Sequence, residues 1–169
     1  MEPLVDTVIE DARWEGLDLP ALADRAVSAV FAEIGLPEQG FALCVMGCND
    51  ARIGELNGAF RGKGQPTNVL SFPAWNRAAD GPGLVPELPE AGDADDPEEL
   101  GDIAISYDTC AVEAAEQGKD MSHHVMHLVV HGILHLLGYD HIDDADAALM
   151  EGLEARILAS LGVDDPYYA

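Results

Sequence analysis

The sequence predicts an α+β (mixed α/β) domain, a small mixed sheet packed with helices. Two observations carry this. Strand-length apolar runs come early and in the middle of the chain, and the longest helical periodicities come late. With 169 residues, 48% of them hydrophobic, the chain can build one hydrophobic core, and residues 1–169 read as a single domain. No internal repeat divides it.

Leu4–Ile9 alternates loosely and reads as the first strand. Leu19 to Ile34 keeps helical spacing through Leu22, Ala26, Ala29, Val30 and Ile34, and Gly35-Leu36-Pro37 stops it. Phe41 to Gly47 is an apolar run of strand length. Asn49 or Asp50 can cap a helix through Ile53, Leu56 and Phe60. In Arg61–Pro73 (RGKGQPTNVLSFP) the glycines and Pro66 make a turn, and Val69–Phe72 is a short strand that Pro73 ends. Residues 78–99 are rich in Ala, Gly, Pro and acids and read as a flexible acidic loop. Leu100 to Tyr107 is a further strand, with Asp102 a candidate carboxylate behind a metal ligand. Thr109 to Gln117 is a helix ended by Gly118. Ser122 caps a long helix to Leu137. Asp143 or Asp144 caps a last helix, with Leu149, Leu153, Ile157 and Leu161 inward and Gly162 at its end.

Composition narrows the function. No run of about 18 apolar residues suits a membrane span. The acidic N-terminus lacks the basic and apolar regions of a signal peptide. Cys44, Cys48 and Cys110 are an odd count without a disulfide framework, so they read as reduced thiols in a cytoplasmic protein. Cys44 and Cys48 share one side of a strand and raise a second metal clip, although buried free Cys is commoner. The net charge of −24 speaks against a polyanion partner on its own. Its distribution speaks differently. Arg52, Arg61, Lys63 and Arg77 supply half of the eight basic residues within one short segment that holds a single acid, Glu55. Arg, Lys and open backbone in the Arg61 turn invite an anion, but the Walker A spacing is absent.

The stretch His131–His141, HGILHLLGYDH, holds three of the six histidines. His131 and His135 are four residues apart and share one face of a helix. Gly138 favours a left-handed stop, after which His141 can swing back toward the pair. Three imidazoles around an ion with one coordination position open is the layout of a catalytic zinc site. In HExxH metalloproteases the residue after the first histidine is the general base. Here it is Gly132, so the ligand spacing resembles a zincin and the base does not, although Asp140, Asp143 and Asp144 lie nearby. His124 and His127 continue the same helix at spacings of three and four, and His127 is a candidate proton-transfer or substrate contact.

Several stretches together resemble the YbeY family of bacterial metal-dependent endoribonucleases. They are FRGKGQPTNVLSFP at Phe60–Pro73, LGDIAIS at Leu100–Ser106, EAAEQGK at Glu113–Lys119 and LVVHGILHLLGYDH at Leu128–His141. The tail at Met150–Tyr168 is similar to the family's C-terminal end. The resemblance implies metal ligands at His131, His135 and His141, with zinc the usual ion. It implies a catalytic arginine at Arg61. Lys63, in the same basic turn, is a candidate substrate or proton-transfer contact. The implied activity is cleavage of single-stranded RNA in 16S rRNA 3′-end maturation and ribosome quality control. The implied partners are rRNA, ribosomal small-subunit proteins and a ribosome-assembly GTPase. Two other readings fit parts of the sequence: a non-catalytic, metal-stabilised ribosome-assembly factor, which suits the acidic surface, and a metal hydrolase of another substrate class, which Gly132 weakens.

Overall fold

The computed structural model describes residues 5–62 and 64–167. Four strands form one sheet: β1 (Val5–Ile9), β2 (Phe41–Cys48), β3 (Val69–Pro73) and β4 (Glu98–Ser106), in the order β1-β2-β4-β3. β1 and β4 flank β2 in parallel, and β3 runs antiparallel on the edge beside β4. The helices are α1 (Leu19–Ile34), α2 (Asp50–Arg61), α3 (Tyr107–Gln117), α4 (Met121–Leu136) and α5 (Asp144–Ser160). A 3-10 turn at Ala12–Leu17 precedes α1. The fold class is the mixed α/β one expected.

The sheet divides the core by side-chain alternation. On β2, Leu43 and Val45 join the main cluster with α1, α4 and α5, through residues such as Phe31, Val129, Ile133 and Ile157. Cys48 turns to the other face and packs with Ile53 of α2, Leu70 and Ala104, with Met46 against them. α4 is the central helix: ten of its residues are buried, and it packs on β3, β4, α1, α3 and α5. This position makes it a rigid platform for whatever its exposed face carries.

Most boundaries follow local chemistry. Asn49 caps α2 by accepting from the Arg52 amide, and Asp143 caps α5 by accepting from Ala145. The cap of α4 is Asp120, not Ser122: its carboxylate accepts from the Ser122 amide and hydroxyl, so Ser122 belongs inside the first turn. Tyr107 begins α3 and does not end β4. β4 starts earlier than expected because the Gly40 carbonyl accepts from both the Gly92 and Glu98 amides, at 2.9 Å each. Thus Glu98 and Glu99 leave the acidic segment for the strand. Residues 74–97 hold no helix or strand. On α5, Leu153 and Ile157 are buried as expected, Leu149 and Leu161 are partly buried, and Met150, Glu154 and Leu158 join the inward face. Leu4, at the start of the expected first strand, lies outside the described residues.

Candidate metal centre

The C-terminal end of α4 builds the site. His131 and His135 project from one face, with ring centroids 4.5 Å apart. Leu137 closes the helix and Gly138 takes φ 103°. A Cβ at Gly138 would stand 2.2 Å from the Arg77 carbonyl oxygen, so both the left-handed backbone and the close approach require glycine. The turn through Tyr139 and Asp140 returns His141, whose ring centroid lies 5.1 Å from each of the other two. One nitrogen from each of the three rings falls within 4.8 Å of the others.

The protons on these rings leave room for a cation. Glu154, fully buried on α5, faces His131 Nδ1 in a short contact. An ionised carboxylate can only accept, so His131 Nδ1 carries a proton and Nε2 is the nitrogen turned toward the other rings. That Nε2 lies 3.0 Å from His135 Nε2. Burial, then the neighbouring His131 and His141, push His135 down to about 4, so its ring is neutral at pH 7, and a bond to the Tyr139 backbone occupies it on another side. Two rings whose Nε2 atoms converge in this way suit a divalent metal. A carboxylate behind a histidine ligand is the usual arrangement for fixing its tautomer and orientation.

Glu154 is held by more than His131. The Tyr167 hydroxyl donates to its other oxygen, and His127 Nε2 lies 3.5 Å from it. Burial alone would raise its pKa, but the bonds from His127, His131 and Tyr167 outweigh that and bring it down to about 2. His127, His131 and Glu154 form a second group of possible metal donors, though its atoms are already engaged with one another.

A cleft of about 590 Å³ opens in front of the triad. Arg61, the last residue of α2, lines it together with the three histidines. Its Nη2 donates to the Ser71 carbonyl at 3.0 Å, which fixes the guanidinium over β3. Gly132 sits where α4 meets β4: a Cβ there would come within 3.1–3.3 Å of three Ile103 side-chain atoms. Any side chain at this position would press on Ile103, which must give by a few tenths of an ångström to admit it.

A profile of the family described as Endoribonuclease YbeY matches residues 8–162. The chain belongs to this family. Endoribonuclease YbeY of Cereibacter sphaeroides is 66% identical over 167 residues, covering 99% of this chain and all of that protein. The relative of the same name from Dinoroseobacter shibae is 56% identical, over 96% of this chain and 90% of its own length. The solution structure of TM1509 from Thermotoga maritima shares the fold with a TM-score of 0.55 at 22% identity, covering 98% of this chain and 99% of that one.

The structure sorts the other sequence-derived candidates of this YbeY chain. His127 lies behind His131, toward Tyr167, and is not among the residues lining the cleft. Lys63 lies outside the described residues. Asp102 is exposed on β4, beside Cys44 and Phe72, on the face opposite Ile103, so it does not stand behind a ligand. The carboxylate with that position is Glu154, which sequence reasoning missed. Cys44, Cys48 and Cys110 are free thiols, and none joins a candidate metal group among the described residues. No helix of the described residues is long and apolar enough to cross a membrane.

Proposed function

We propose that the chain is a single-strand-specific, metal-dependent endoribonuclease acting in 16S rRNA 3′-end maturation and ribosome quality control. In this reading residues 1–169 work as one domain, zinc is held by His131, His135 and His141, and Arg61 is the catalytic arginine. One observation carries it: three converging imidazoles and an anchored guanidinium line the same cleft. The family's name points to RNA as the polymer cut.

His131, His135 and His141 would hold a divalent ion, which would supply Lewis acidity to the reaction. The chain's own residues do the rest. Arg61 keeps donors beyond the one given to Ser71, and these clamp a phosphate and stabilise charge that grows in the transition state. Glu154 holds His131 in one tautomer and one orientation. Lys63 and His127 are further substrate or proton-transfer contacts. The partners are rRNA, ribosomal small-subunit proteins and a ribosome-assembly GTPase, and the compartment is the cytoplasm.

The net charge of −24 favours a second reading, a non-catalytic assembly factor that docks on basic ribosomal proteins. One experiment separates the two: metal analysis beside a cleavage assay on single-stranded RNA, with Arg61→Ala and His135→Ala. The enzyme reading expects one metal per chain, bound metal but cleavage down by about 10²–10³ in Arg61→Ala, and loss of both in His135→Ala. Equal residual cutting in both variants would mean a contaminating nuclease and leave the assembly factor.

A further inference from the structure

We infer that Trp75 is a stacking platform for a nucleobase of the RNA strand, beside the phosphate held by Arg61. The inference rests on the ribonuclease reading above and adds a subsite to it.

Trp75 lies just past β3, and its side chain is 64% exposed. It lines the same cleft as the three histidines and Arg61. Its neighbours fix the backbone under it. The Ala74 amide donates to the Leu100 carbonyl at 3.0 Å. Arg77 Nη2 donates to Glu98 at 3.0 Å and to the Glu99 carbonyl at 3.3 Å. The ring itself stacks on no other ring among the described residues. By contrast Phe60, equally exposed at 68%, packs edge-on against Phe72 and does not line the cleft. Trp14 is fully buried. A large aromatic on a tethered backbone, left bare at the mouth of a cleft, is what a base needs to stack upon.

Charge makes the case stronger. Nonspecific binding of a nucleic acid draws on phosphate neutralisation. This chain carries a net charge of −24, and of the two arginines in the cleft, Arg77 is already paired with Glu98. Long-range repulsion therefore opposes the substrate, and affinity must come from contacts at short range. Base–aromatic stacking is such a contact and does not depend on salt. Ile142, 88% exposed and next to His141, adds a second bare apolar surface to the same cleft.

The test uses metal-loaded protein and two oligomers of equal phosphate count, about ten units long. One is a 2′-O-methyl oligoribonucleotide and the other is its abasic counterpart. Binding is read beside metal content, and cleavage of single-stranded RNA is measured in parallel. The parent is expected to bind the base-bearing oligomer at least about ten-fold more tightly than the abasic one. Trp75→Ala should erase that ratio, and Trp75→Phe should keep most of it, with metal content and abasic affinity unchanged in both. The intrinsic fluorescence of Trp75 should be quenched on binding, and Trp75→Phe, which leaves only buried Trp14, should lose the signal. A ratio that survives in Trp75→Ala would overturn the inference. So would a parent that cuts RNA yet binds both oligomers equally, and there the nuclease reading would stand. A parent that neither cuts nor binds RNA would sink both.

Discussion

His131 and Glu154 are joined across two helices: the buried carboxylate on α5 accepts a hydrogen bond from the Nδ1–H of a ring whose Nε2 faces His135. The bond couples the docking of the last helix to the orientation of the His131 ring in the candidate metal site. Glu154→Gln should keep the volume but weaken the hold on the ring's tautomer. Metal affinity, measured by competition with a chromophoric chelator, should fall by about 10–100-fold while the circular dichroism spectrum stays the same. Unchanged affinity would remove Glu154 from the site.

Chelation gives a second expectation. An ion bound only by the folded chain stabilises it by about 2.7 kcal/mol at a hundred times its dissociation constant. For a chain of 169 residues, removing it should lower Tm by about 5–10 °C. The same chelator should leave the Tm of His135→Ala where it was. An equal drop in both would mean that the chelator acts elsewhere.

Gly132→Ala sets two effects against each other. Alanine in a helix interior gains about 1 kcal/mol over glycine. The new methyl meets three atoms of Ile103, a stiff β-branched side chain that is only 1% exposed, and overpacking costs about 1–3 kcal/mol. A net loss of stability is expected by urea unfolding, and Ile103→Val, which removes the nearest atom, should recover part of it. A Gly132→Ala variant more stable than the parent would show that the strand yields.

The pH dependence of stability should carry the mark of Arg13. Its guanidinium bonds Asp11 and Asp108 and holds both carboxyls low, Asp11 at about 2. A folded pKa below the unfolded one means that the unfolded chain binds more protons. The stabilisation is then present above about pH 4 and is lost as pH falls toward 2. Acid also relieves self-repulsion in a chain of net charge −24, so the informative quantity is the difference between the parent and Arg13→Ala. That difference should shrink from pH 6 to pH 3. A constant gap would assign Arg13's contribution to its contact with the Tyr107 ring at 4.6 Å instead.

The sequence disclosed much of this because the signals were local. Leu19–Ile34 is bounded by a glycine and a proline, and the structure ends α1 at the same residues. His131, His135 and His141 sit within eleven residues of one another, so spacing and a glycine stop were enough to bring them together. Glu154 lies 23 residues beyond His131 on a different helix, where the crossing of α4 and α5 decides contact. A signal did exist: Met150, Leu153, Ile157 and Leu158 define an inward stripe, and Glu154 is the one acid within it. Asp102 failed for a simpler reason. Strand alternation gives its neighbours Ile103 and Ile105 to the core face of β4 and turns the carboxylate outward. Tyr167 depends on a tail folding back over α5, which no periodicity announces.

The two tethers of the acidic segment have a practical side. Its early part is pinned where the Gly83 amide donates to Asp146 at 2.8 Å, and its end where the Gly92 and Glu98 amides donate to the Gly40 carbonyl. The stretch between, around Glu87 to Glu90, hangs from fixed posts, so extra length there need not disturb the helix stop that aims His141. An affinity handle or a small fluorescent reporter spliced into that stretch would ride on the protein without rebuilding the histidine cluster. It would let the chain be recovered from an extract with whatever it holds still attached.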